Sequence, residues 1–241
     1  MTTNLTVLTW TAASIAFIHT IIGPDHYLPF IVMARARQWS IIKTSWVTIL
    51  SGFGHVISSI LLGAVGIGVG VGLNKLEFLE SVRGDLAAWL FVLFGLGYMM
   101  WGIWRITGNR LHKHHHRHMN GTEHIHEHAH QHENGHGHEG GHDHKHKNNI
   151  TPWILFTIFF LGPCEPLIPI LMYPAAQAST WGIVQVSLVF GIVTILTMLT
   201  LVLLASFGLN FINLGRLEKY THIIAGATIM LSGIGILFLG L

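Results

Sequence analysis

The chain has 241 residues, of which 51% are hydrophobic and 10% charged, with a net charge of +2. Soluble domains carry roughly 25% charged residues, so this composition argues against one. With no basic patch outside the loops there is no support for nucleic-acid binding, and the single cysteine, Cys164, rules out an intramolecular disulfide and a zinc site built from cysteines alone.

Apolar runs fall into six blocks, at about 5–34, 41–73, 85–107, 151–175, 181–209 and 220–241. Each reaches the ~20 residues that span a bilayer. The N-terminal Met1-Thr-Thr-Asn lacks a basic start and a small-residue cleavage pattern, so a removed signal peptide is not expected. Between the third and fourth blocks, residues 108–150 hold 15 of the 19 histidines and almost no large apolar residue. Such a tract cannot build a core and reads as a mobile loop. The organisation expected is therefore all-α and polytopic: 1–107 as a first three-helix unit, 108–150 as the His-rich loop, and 151–241 as a second unit. Lys and Arg set the orientation. Eleven of the thirteen lie in the loops after blocks one, three and five, leaving Lys75 and Arg83 on the opposite side. The positive-inside rule places the His-rich loop in the cytoplasm of an inner or plasma membrane, with both termini outside.

The two halves resemble each other. Gly23-Pro-Asp-His-Tyr-Leu-Pro-Phe30 matches Gly162-Pro-Cys-Glu-Pro-Leu-Ile-Pro169 at an offset of 139 residues; Phe53-Gly-His-Val56 matches Phe190-Gly-Ile-Val193 at 137; Gly95, Gly97 and Gly102 match Gly233, Gly235 and Gly240 at 138. Three spans per half is an odd number, so the second half must be inverted relative to the first. All seven prolines lie in blocks one and four. Pro152 suits the first turn of a helix. Gly-Pro in mid-span predicts that the first and fourth helices are broken. Paired breaks at equivalent positions point to a midplane binding site.

Asp25 and Glu165 are the acids inside apolar blocks, one in each break. His19 precedes His26 by about two helical turns, and His55 lies in block two among Gly52, Gly54, Ser58 and Ser59. Charges at the bilayer centre cost at least ~2.5–3.5 kcal/mol each. Such groups must line a cavity, bind a cation, or bond one another. Imidazole with carboxylate suits a borderline divalent metal. The metal candidates are His19, Asp25, His26, His55 and Glu165, with Cys164 as a soft ligand; a proton pathway and a purely structural cluster are the other readings. His222, at the start of block six, reads as interfacial. Within the loop His114, His115, His116, His124, His126, His128, His130, His132, His136, His138, His142, His144 and His146 form an accessory metal-binding tract, whose five acidic and five basic residues cancel. Its affinity should fall as protons compete below about pH 6.

His19-Thr-Ile-Ile-Gly-Pro-Asp25-His26 resembles the signature helix of the nickel/cobalt transporter family, a histidine followed by five residues and Asp-His, with Thr20 where that family has Ala or Val. Gly54-His55 resembles its second histidine motif. Gly162-Pro-Cys-Glu-Pro-Leu-Ile-Pro169 is similar to six-span membrane proteins of the urease-accessory and sulfite-exporter-like kind, which share a three-plus-three repeat with the transmembrane thiol carriers of cytochrome c biogenesis. The resemblance implies a secondary transporter for nickel or cobalt, or zinc, with import slightly favoured. Metal efflux, metal sensing and sulfite-like anion export are the alternatives. It implies no permanent cofactor, no catalytic residues and no enzyme activity. The partners expected are metal ions, the lipid bilayer and a cytoplasmic metallochaperone, with no nucleic acid. A thiol-disulfide carrier needs two exchanging cysteines, and Asp25 stands where the second would be.

Overall fold

The computed structural model describes residues 2–70, 72–108, 112–117, 123–128, 150–164, 166–177, 179–211 and 215–239. Eight helices carry the fold. In chain order they are α1 (Thr2–Ile22), α2 (Leu28–Ala36), α3 (Ile41–Gly68), α4 (Leu73–Gly108), α5 (Thr151–Leu161), α6 (Leu167–Ala176), α7 (Thr180–Phe211) and α8 (Thr221–Leu239). Between α4 and α5 lies an antiparallel ribbon of two strands, β1 (His112–Arg117) and β2 (Glu123–His128), with His112 opposite His128. The rest of the described architecture is helical. The ribbon was not anticipated, although His124, His126 and His128 alternate with the period of a strand.

Among the described residues five helical segments are long and apolar enough to cross a membrane: Leu5–Ile22, Ile41–Gly66, Leu73–Gly108, Thr180–Leu209 and Leu217–Phe238; Thr151–Leu161 is a shorter apolar helix. Their outward faces are apolar, and Trp10, Trp46, Trp104, Trp153 and Trp181 are all exposed. Tryptophan toward helix ends, with apolar flanks between, is the pattern of a lipid-facing surface. The chain is an integral membrane protein.

Helix α4 begins at Leu73, twelve residues before the apolar block read from the sequence. Charged side chains at Glu77, Glu80, Arg83 and Asp85 hide its first turns from a hydropathy reading. Helix formers such as Leu76, Leu79 and Leu86 nevertheless continue the pattern through them.

Helices α4 and α8 make the most extensive contact in the bundle. Two glycines set its closeness. A Cβ on Gly95 would collide with the backbone of Met230, and one on Gly226 with the backbone of Met99. Small residues let the two backbones approach, the usual device for packing helices in lipid. One buried cluster joins α2, α4, α5, α7 and α8 through Phe30, Met33, Phe91, Phe159, Met198 and Ile229. A second joins α1, α6 and α7 through Ala12, Ala16, Cys164, Leu167 and Phe190.

Both Gly-Pro sites break the helix. Gly23 closes α1 by donating its N–H to the His19 carbonyl (3.0 Å), then turns extended at ψ 95°. Pro24 has no N–H to continue the ladder, and a single 3-10 turn, Pro24–His26, follows. The second break opens at Gly162, also extended, with φ −59° and ψ 140°. Pro163 and Cys164 lead on to α6.

Candidate functional site

The 3-10 turn at the first break aims two side chains inward. His26 is 2% exposed, and its Nδ1 lies 3.1 Å from Asp25 Oδ1 and 3.2 Å from the Gly23 carbonyl oxygen. Both partners are acceptors, so Nδ1 carries the proton and donates. His26 Nε2 is then left with a bare lone pair. A carboxylate or carbonyl that fixes one ring nitrogen while the other stays free is the usual support of a metal-binding histidine. Gly23 has to be glycine here, because a Cβ would stand 2.7 Å from His26 Nδ1 and 2.8 Å from Asp25 Oδ1.

Helix α1 brings His19 to this ring and α3 brings His55. The His19 and His26 centroids are 4.7 Å apart, edge to face, and those of His26 and His55 are 5.2 Å apart. One nitrogen from each of the three rings falls within 4.8 Å of the others. His19 Nε2, His26 Nε2 and His55 Nε2 are all buried without a hydrogen-bond partner. Three orphaned imidazole nitrogens in one place require an explanation, since buried polar atoms are nearly always bonded. Charging two rings about 5 Å apart would cost about 3 kcal/mol at an effective dielectric of ~20. Each neutral ring keeps one lone pair, so the trio can offer three neutral nitrogen ligands to a cation. Ligands at zinc–nitrogen distances of about 2.0–2.1 Å sit closer together than these nitrogens do, so the rings would draw inward around an ion.

The trio faces a cavity of about 460 Å³ whose wall includes Asp25, Asp85, Phe159 and Gly162. Phe159 closes one side, 6.3 Å from His55 and tilted against Phe30 at 4.6 Å. Asp25 lies beside the trio, bonding His26 rather than joining the group of converging atoms. Cys164 is elsewhere: fully buried in the α1–α6–α7 cluster, with its N–H donated to Ser59 Oγ at 3.2 Å. Glu165 lies outside the described residues, as do His130, His132, His136, His138, His142, His144 and His146. His114, His115 and His116 fall in β1, and His124, His126 and His128 in β2. His222 is remote from the trio, between the Tyr98 hydroxyl (2.8 Å) and Arg105 (2.7 Å).

Arg83 was read from the sequence only as a loop charge, yet it braces this site. Its guanidinium donates to Glu80 Oε1 (2.8 Å) and Ser58 Oγ (2.7 Å). It also donates to the carbonyl oxygens of Phe160 (3.0 Å) and Gly162 (3.3 Å), the exposed end of α5. A cation on the last carbonyls of a helix satisfies its unpaired acceptors and its dipole. Ser58 in turn donates to the His55 carbonyl at 2.9 Å. One side chain thus ties α4, the end of α5 and the turn of α3 that carries His55. The sequence signal was there: Glu80 and Arg83 stand at i and i+3, where side chains meet on a helix.

A family model described as the cytochrome c biogenesis protein transmembrane region matches residues 28–235. No curated protein and no solved structure matches the chain. The match corrects the nickel/cobalt resemblance and the function drawn from it: transport of nickel or cobalt is not supported, nor are the efflux, sensing and anion-export variants of that reading. The physical reason is one of extent. The histidine motif covers eight residues and ends at His26, whereas the match spans residues 28–235 and begins only at Leu28. The thiol carriers set aside for want of a second cysteine are where it points. The chain belongs to the family of the cytochrome c biogenesis protein transmembrane region.

Proposed function

We propose that this chain is a metal-binding member of its family, in which a cation held by His19, His26 and His55 occupies the heart of the bundle. The observation that carries this reading is that His19, His26 and His55 each bring a ring nitrogen within 4.8 Å of the others, and that each ring keeps a buried nitrogen without a hydrogen-bond partner. Dithiol exchange within the chain has no second cysteine to use. Three neutral imidazoles beside one carboxylate favour a late first-row cation over magnesium or calcium, which prefer oxygen. Asp25 offsets part of the ion's charge and fixes the His26 tautomer. The His-rich tract supplies further, weaker sites for the same ions.

The six-span, three-plus-three inverted arrangement belongs to this proposal. It treats α1–α2 and α5–α6 as two broken spans. The pairing of helices supports it: α1 lies against α7 as α5 lies against α3, and α2 lies against α8 as α6 lies against α4. The excess of Lys and Arg at the ends carrying residues 35–43, 105–147 and 216–219 supports a cytoplasmic position for that face.

The test uses the full chain with the fifteen histidines of residues 108–150 replaced by asparagine. Zinc is titrated in detergent against a chromophoric chelator. One saturable site is expected, weakened at least a hundredfold by His26→Ala and by His55→Ala. Absence of a site, or equal affinity in both variants, would overturn the reading.

A further inference from the structure

A second cavity, of about 640 Å³, opens at the face of the bundle that carries the His-rich loop. Its wall is built by the end of α2, the starts of α3 and α8, the end of α4 and the 3-10 turn Gly215–Tyr220. Its charge is opposite to that of the histidine cavity. Arg35, Arg105 and Lys219 line it, and among the described residues Glu218 is the one carboxylate on that wall. Among the described residues Glu218 forms no ion pair with Arg105 or Lys219. Lys219 Nζ lies over the Tyr220 ring at 4.7 Å, and the Arg105 guanidinium over Trp101 at 5.7 Å. Aromatic faces hold these cations without neutralising them.

Neighbouring groups keep Arg105 charged and aimed. Arg105 Nη1 donates to His222 Nε2, so the proton of that ring sits on Nδ1, which donates to the Tyr98 oxygen. His222 is therefore neutral, and the other guanidinium donors of Arg105 are not used by it. Arg37 adds a further cation nearby, 5.3 Å from both the Tyr98 and Trp101 rings. Two wall residues, Trp39 and Ser206, have buried polar atoms without a hydrogen-bond partner.

We propose that this cavity binds a phosphate-bearing anion, either the headgroup of an anionic phospholipid or free phosphate. The guanidinium fork matches phosphate oxygens, and the ammonium adds a point charge. The depth is that of lipid headgroups. Trp46, Trp104 and Trp153 are exposed within two turns of the helix ends on this same face, and tryptophan collects at that level. Basic pockets between membrane helices hold anionic headgroups by the same chemistry. The inference stands apart from the histidine trio, which lies in the other cavity.

The experiment takes the full chain in a neutral detergent and follows tryptophan fluorescence. The probes are dihexanoyl phosphatidylglycerol, dihexanoyl phosphatidylcholine and inorganic phosphate. Phosphatidylglycerol should bind saturably, at least tenfold tighter than phosphatidylcholine. Lys219→Gln and Arg105→Gln should each weaken it about fivefold, roughly one cation's share of headgroup attraction, and Arg105→Lys, which keeps the charge without the fork, should lose less than Arg105→Gln. Displacement of phosphatidylglycerol by millimolar phosphate would assign the site to the free anion; resistance to displacement would assign it to lipid. Equal binding of the two lipids, or no change in Lys219→Gln, which is exposed and leaves the packing intact, would overturn the proposal.

Discussion

The two helix breaks start from the same dipeptide and end with different jobs. At the first, Gly23-Pro24 is followed by Asp25 and His26, and the turn delivers both into a cavity. At the second, Gly162-Pro163 is followed by Cys164, which goes into an apolar cluster, while the exposed carbonyls are capped by Arg83 from another helix. The proline decides only that the ladder stops. What satisfies the freed groups decides whether the break becomes a site or a joint. The first break satisfies itself locally, through Gly23 and Asp25, and leaves one imidazole nitrogen over. The second borrows a cation from 79 residues away and leaves no ligand among the described residues.

The sharpest way to break this contrast is at Arg83. Arg83→Leu removes the cap from α5 and takes the ion-pair partner Arg83 from the buried Glu80 carboxylate, whose side chain is 1% exposed. Losing one partner of a buried ion pair costs about 3–5 kcal/mol. A large drop in thermal stability in detergent is expected, with much of it recovered in the double variant Arg83→Leu, Glu80→Leu. A single variant as stable as the wild type would show that the second break needs no cap.

The first break should respond in function and not in stability. Asp25→Asn keeps the shape of the side chain and removes its charge. Supporting carboxylates of metal-bound histidines are worth 10–100-fold in affinity, so zinc affinity at the trio should fall by that factor while the melting temperature barely moves. Gly23→Ala tests the same point by shape. Its Cβ would displace the His26 ring or the Asp25 carboxylate, and a tenfold loss of zinc affinity is expected. Gly162→Ala, whose Cβ would meet the Phe159 carbonyl at 3.3 Å and His55 Nδ1 at 3.4 Å, should cost less.

The sequence made the first break readable because its chemistry is local. His19, Asp25 and His26 lie within eight residues, and His55 stood out as an imidazole in an apolar helix. The chemistry of the second break is not local. Nothing near Gly162 announces Arg83, and the charges of α4's first turns placed that residue in a loop instead of in the bundle. The integral-membrane, largely helical fold was legible from apolar length alone. The function drawn from a short motif was not, because eight residues report a ligand set and say little of the chain around it, and the family match lies over the helices.

Cys164 separates the two breaks most finely, since it occupies the position matching Asp25. If the breaks were interchangeable, its sulfur would be a ligand. Its full burial among Ala12, Ala16, Leu167 and Phe190 says that it packs as a small apolar side chain. Cys164→Ala should therefore leave zinc affinity at the trio within twofold and cost about 1 kcal/mol or less in stability, the scale of a small cavity. A tenfold loss of zinc binding in the alanine variant would bring the second break into the site and erase the distinction. An unchanged affinity leaves the trio complete without it, with the ligands drawn from α1, the first break and α3.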